Sequence, residues 1–167
     1  MKRLALVVLI FFGVLALPAS AEHDIGVIWN GHPPITVSVD ATGVTDPGVL
    51  SAVSFASTNW SASSVINMVS GTKGQKKIVI RMSETCSVAC TSYRQRNGHF
   101  SEVTVFLSPS WILAQSVEEQ QGALCHELGH GIGLGHNPDT TSCLYATTAG
   151  SSVPNSHDFE ELELIYG

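Results

Sequence analysis

The chain is poor in positive charge. Eight Lys and Arg stand against fourteen Asp and Glu in 167 residues, a net charge of -6. Proteins that grip nucleic acid neutralise phosphates with a surplus of cations, so no nucleic-acid partner is expected. Charge of either sign is scarce, at 13% of residues, while hydrophobic residues make up 44%. That balance excludes general disorder and supplies enough apolar side chain for one domain with its own core. There is no internal repeat, no low-complexity tract and no acidic run with calcium-loop spacing. Long apolar runs are missing too, except one at residues 4–17.

That run has the marks of a leader. Lys2 and Arg3 precede it, Pro18 breaks it, and Ala19-Ser20-Ala21 follows as a small-residue cleavage site. It is shorter than the ~20 residues a spanning helix needs. Residues 1–21 therefore read as a secretory signal peptide and residues 22–167 as the mature domain. The mature domain is expected to be exported (extracellular or periplasmic), monomeric, and held by no membrane once the leader is removed. No Cys follows the cleavage site, which argues against a lipoprotein anchor.

All four cysteines lie in the mature part. An even count in an exported protein points to two disulfides. Of the three connectivities, Cys86–Cys90 with Cys125–Cys143 closes local loops and is the pairing expected. A zinc cluster is the rival reading, but Cys86-x3-Cys90 has no second Cys pair at matching spacing.

Residues 35–40 alternate apolar and polar, as a half-buried strand does. Asp46-Pro47 opens a helix, with Val49, Val53, Ala56 and Trp60 on one face. Residues 77–82 and 99–107 read as further strands, and residues 86–97 as a loop or short strand. Ser116-Val117-Glu118-Glu119 is a capping box whose helix is expected to run to about Gly133. Residues 135–155 show no periodicity, and a loop that long in a compact domain is usually functional. Residues 156–166 close the chain as a short helix. The order is that of an α+β domain.

Seven His in so short a chain is the unusual count. Three fall in His126-Glu127-Leu128-Gly129-His130-Gly131-Ile132-Gly133-Leu134-Gly135-His136. Residues four apart share a helix face, so His126 and His130 can meet one ion. Two helical imidazoles do not complete the sphere of zinc. Gly133 allows the chain to turn out of the helix and bring His136 as a third ligand. Three protein ligands leave a fourth position open, the mark of a catalytic zinc site. Glu127 points near the ion without ligating it, placed as general base to a zinc-activated water. This chemistry hydrolyses an amide. By composition, a chance match is on the order of one in ten thousand. His23, His32, His99 and His157 read as surface or hydrogen-bonded residues.

The segment His126-Glu127-x-x-His130-x-x-Gly133-x-x-His136 resembles the long zinc signature of the metzincin metallopeptidases. The chain looks most like the small matrixin-type catalytic domains. Trp60 resembles the end of that family's first long helix. Asp158 and Leu164-Ile165-Tyr166-Gly167 resemble its closing helix. The resemblance implies a metzincin-like zincin fold: a twisted, mostly parallel sheet with an antiparallel edge strand within residues 88–107, two long helices, a Met-turn-like loop and a C-terminal helix. It implies a secreted zinc endopeptidase acting on extended peptide or protein substrates laid along that edge. Leu144 stands where the family places Met beneath the zinc, a swap of similar volume that zinc binding is expected to survive. Tyr145 follows directly and is given a structural role, not a ligand's. Asn137 replaces the Ser of matrixins and the Glu of astacins. No cysteine-switch pro-segment is expected. The alternative is a non-catalytic zinc-binding module derived from the same fold. Intact Glu127 speaks against it.

Overall fold

A computed structural model of the protein describes residues 23–147 and 150–167. The expected leader at residues 1–21 lies outside the described residues. The described residues form five strands and four helices. The strands are β1 (Ile35–Asp40), β2 (Ile66–Ser70), β3 (Lys77–Met82), β4 (Ala89–Arg96) and β5 (His99–Leu107). The four helices are α1 (Pro47–Trp60), α2 (Pro109–Ile112), α3 (Val117–His130) and α4 (Ser156–Tyr166). They form a mixed α+β architecture around one five-stranded sheet, ordered β2-β1-β3-β5-β4.

The β1, β2, β3 and β5 strands pair in parallel, with Ile35 opposite Ile66 and Ile78 opposite Val103. Parallel neighbours need a crossover, and α1 supplies the one between β1 and β2. Only β4 is antiparallel, with Ala89 opposite Leu107. Asn97 and Gly98, both at positive φ (54° and 77°), make the two-residue turn that joins β4 to β5. Strand β4 is the sheet edge inside the window 88–107 where one was expected.

Two elements differ from the sequence reading. Strand β2 was not anticipated, because only Ile66 and Met68 of its five residues are buried. The α3 helix ends at His130 rather than near Gly133, with Gly131 as its cap residue. Helical bonding stops there because Ile132 and Gly133 form a tight turn, their N–H groups donating to Gly129 and His130.

Both expected caps are present. Asp46 accepts from Val49 N at 3.0 Å, and Ser116 and Glu119 form a reciprocal capping box. Each of these caps contributes about 1 kcal/mol. The core joins the sheet to α1 and α3. Trp60, fully buried, closes α1 and donates its indole N–H to Cys125 O of α3 at 2.9 Å. Trp29 and Tyr166 hold the far end of α3: Trp29 Nε1 donates to Gly131 O at 3.0 Å, and Tyr166 Oη donates to Ile132 O at 2.8 Å. The helix that carries the chemical residues is thus held at its middle and just past its C-terminal end by aromatic donors. Disulfides join Cys86 to Cys90 and Cys125 to Cys143. The second ties the middle of α3 to the segment before Leu144.

Candidate metal centre

His126 and His130 lie one helical turn apart on α3, so their side chains stack on one face. The chain leaves the helix through Gly133 (φ 104°), where a Cβ would meet Val27 O at 2.8 Å. No side chain fits there, and the bend returns His136 to the same spot. One ligand atom from each of His126, His130 and His136 lies within 4.8 Å of the others. In a tetrahedral site with Zn–N of ~2.0–2.1 Å, nitrogens stand about 3.3 Å apart, so modest side-chain adjustment closes the set.

The tautomers carry the stronger argument. His126 Nδ1 lies 2.8 Å from Cys143 O, and His130 Nδ1 lies 2.8 Å from Leu134 O. A carbonyl accepts only, so both Nδ1 atoms carry the proton. Both Nε2 atoms are then bare, yet they face each other at 3.0 Å. Neutral imidazoles cannot satisfy all three contacts. Burial, and then the neighbouring His130, push the His126 pKa down to about 4, so the His126 ring favours the neutral, metal-ligating form. A bound cation between the Nε2 atoms resolves the conflict, and the carbonyls are the outer partners that metal-bound His normally has. Burial, then His130, also lowers the pKa of His136.

Glu127 is buried beside this group, 7% exposed. Its Oε2 accepts from Thr91 Oγ1 at 2.7 Å, and the same hydroxyl reaches Glu127 O at 2.9 Å. Burial raises the carboxyl pKa, opposed by the Thr91 hydrogen bond and by His130. Thr91 belongs to edge strand β4. Sequence reasoning missed it, and a contact 36 residues away leaves no local signal.

Leu144 is fully buried under α3. A Cβ on Gly129 would meet its Cδ2 at 2.7 Å, so the turn and the helix are in direct contact. Leu144 O accepts from Asn137 N at 2.9 Å, and Tyr145, half-buried, forms a bridge with Asn137. Asp158 organises the surrounding loops from α4. Its carboxylate accepts from Ser142 Oγ (2.6 Å), Asn137 Nδ2 (2.7 Å) and Asn155 N (2.8 Å). His23 and His157 hydrogen-bond each other at 3.0 Å, His32 is exposed, and none of these joins the three-His group.

A cavity of about 640 Å³ opens beside His126 and Glu127. Thr147, Gly150, Ser151 and Ser152 form one wall, within the aperiodic segment 135–155. Val88 and Trp111 line it too, with no local signal to announce them.

No family model matches the chain, and no curated protein matches its sequence. Solved structures do. Myroilysin aligns with a TM-score of 0.56 at 15% identity, covering 86% of this chain and 97% of that one. High choriolytic enzyme 1, a hatching-enzyme zinc-protease from the medaka fish Oryzias latipes, aligns at 0.56 and 12%, covering 83% and 94%. Archaemetzincin from Methanopyrus kandleri aligns at 0.53 and 15%, covering 90% and 98%. Likeness at such identity carries fold and not activity. Together with the sheet order and the three-His group on and beyond α3, it establishes that this chain has the metzincin fold.

Proposed function

We propose that the protein is a secreted zinc-dependent endopeptidase, with His126, His130 and His136 holding one catalytic ion and Glu127 acting as general base. The observation that carries this reading is the pair of bare, opposed Nε2 atoms, with both Nδ1 protons committed to carbonyls. When bound, zinc supplies Lewis acidity, which polarises a carbonyl and makes water nucleophilic near neutral pH.

The chain's own residues do the rest. Glu127 takes the proton of the attacking water and returns it to the leaving amine. Thr91 donates to Oε2, which fixes the carboxylate and leaves Oε1 as the proton acceptor. Because β4 is the sheet edge and carries Thr91, an extended substrate added alongside β4 passes in front of Glu127. The two disulfides suit an oxidising compartment. Among the described residues no helix is long and apolar enough to cross a membrane.

The test is a mixed peptide library incubated with the zinc-loaded mature chain, with and without a chelator. Internal cleavage that chelation abolishes, and that falls ~10²–10⁴-fold in Glu127→Ala with zinc retained, is the expected result. Zinc-loaded protein that cleaves nothing in the library would reduce the assignment to a zinc-binding module.

A further inference from the structure

The cavity beside the metal centre follows α3 back toward its first turn. Glu118 and Glu119 line it, as do Ala123, His126 and Glu127. Glu119 is seven residues from His126, two helical turns, and so shares its face about 10 Å away along the axis. The ionisable side chains lining the cavity are three glutamates and one imidazole, with no Lys or Arg among them.

The far end of the cavity carries the carboxylates of Glu118 and Glu119. The Ser116 side chain and backbone, its capping partners, lower the pKa of Glu119. Two full negative charges there exceed the roughly half positive charge of the helix N-terminus. Val88, Ala89, Trp111 and Ala123 give the cavity an apolar side, facing the Thr147, Ser151 and Ser152 wall. The cavity thus offers apolar surface along one side and carboxylates at its end.

Resting on the endopeptidase reading, we infer that this cavity takes a long cationic side chain, and that the substrate residue just after the cleaved bond is Arg or Lys. The lengths agree. From the attacked carbonyl carbon to the next Cα is about 2.5 Å. A Lys or Arg side chain adds about 6–7 Å from there to its charge. Their sum, about 8.5–9.5 Å, is comparable with the ~10 Å that separates Glu119 from His126 along the helix axis. The methylene stem lies against Trp111 and Ala123, as long basic side chains do on apolar surface, while the head meets Glu118 and Glu119. A medium aliphatic side chain stops short of the carboxylates. An acidic one is repelled by them.

The experiment compares peptides that differ only at that residue (Arg, Lys, Leu or Glu) on wild type, Glu118→Lys and the double variant Glu118→Gln/Glu119→Gln. Gln at position 119 preserves the capping box, so the helix start is retained. Wild type is expected to favour Arg and Lys over Leu roughly tenfold in kcat/KM, and over Glu by more. The double variant loses that Arg-to-Leu ratio, and Glu118→Lys narrows the gap between Arg and Glu. Wild type that prefers Leu or Glu, or a ratio untouched by the double substitution, overturns the inference while leaving an endopeptidase intact. Binding to zinc-loaded Glu127→Ala separates the two failures. Tighter binding of the Arg peptide than the Leu peptide, lost on adding the two Gln substitutions, upholds the cavity assignment even if wild type cleaves nothing. Equal affinities for the four peptides overturn it.

Discussion

Gly129→Ala should destabilise the protein, although the same change in a helix interior ordinarily stabilises. An alanine gains about 1 kcal/mol over glycine from helix propensity. Gly129 faces the turn under α3, where an added Cβ would lie 2.7 Å from Leu144 Cδ2 and 2.8 Å from Trp60 Cζ2. Both neighbours are fully buried. The Trp60 ring is also held by its hydrogen bond to Cys125 O, so it has no free direction in which to retreat. Overpacking of this kind costs about 1–3 kcal/mol, and two contacts this short belong at the upper end. The net expectation is a loss of about 1–2 kcal/mol. Gly122, in the same helix, is the control. Its Cβ would meet only Ser151 O at 3.6 Å and Ser152 Cα at 3.8 Å, ordinary contacts. Gly122→Ala should therefore gain about 0.5–1 kcal/mol. Urea denaturation of the metal-free chains gives both values. A Gly129→Ala protein as stable as wild type, or two variants shifting in the same direction, would refute the packing described under the metal centre.

Three further outcomes follow from the structure. Replacing Cys125 and Cys143 by Ser opens a cross-link of separation 18 and should cost about 3 kcal/mol in the chain-entropy model, against about 2 for the Cys86–Cys90 pair; equal losses in denaturant midpoint would contradict that order. Asp158→Ala removes a fully buried acceptor from three donors and should cost about 3–5 kcal/mol, with a loss under 1 kcal/mol in guanidinium unfolding refuting the network. The folded-state pKa of His126, about 4, lies below its ordinary 6.5, so the unfolded chain binds more protons between those values. The metal-free protein should accordingly lose stability as pH falls from 6.5 toward 4, and a midpoint that stays flat or rises through that window would exclude the buried neutral imidazole.

The chemical residues were the most legible part of the sequence because a helix and a glycine bend place them by local geometry alone. His126, Glu127, His130, Gly133 and His136 span eleven positions, and their relation is fixed by helical pitch and one turn. Strands β1 and β5 announced themselves by alternation of apolar and polar residues, and residues 77–82 were read as a strand as well. Strand β4 did not, since its last five residues are exposed and it is held by backbone pairing to β5. What lies far apart in the chain was invisible. Thr91 reaching Glu127 and Trp111 lining the cavity both depend on how the sheet edge packs against α3, and no local pattern records that. The helix end was misjudged by three residues because Gly131 and Gly133 both serve as exits, and only the observed bonding assigns the cap to the first.

The central claim is that three imidazoles, and no sulfur, hold one zinc. X-ray absorption on the zinc-loaded mature chain tests it most directly, with metal content measured on the same sample. The account predicts one zinc per chain, with three nitrogen ligands of imidazole type at ~2.0–2.1 Å and an oxygen completing the shell, and loss of the metal in His130→Ala. Sulfur in the first shell, or wild-type zinc content in His130→Ala, would contradict it.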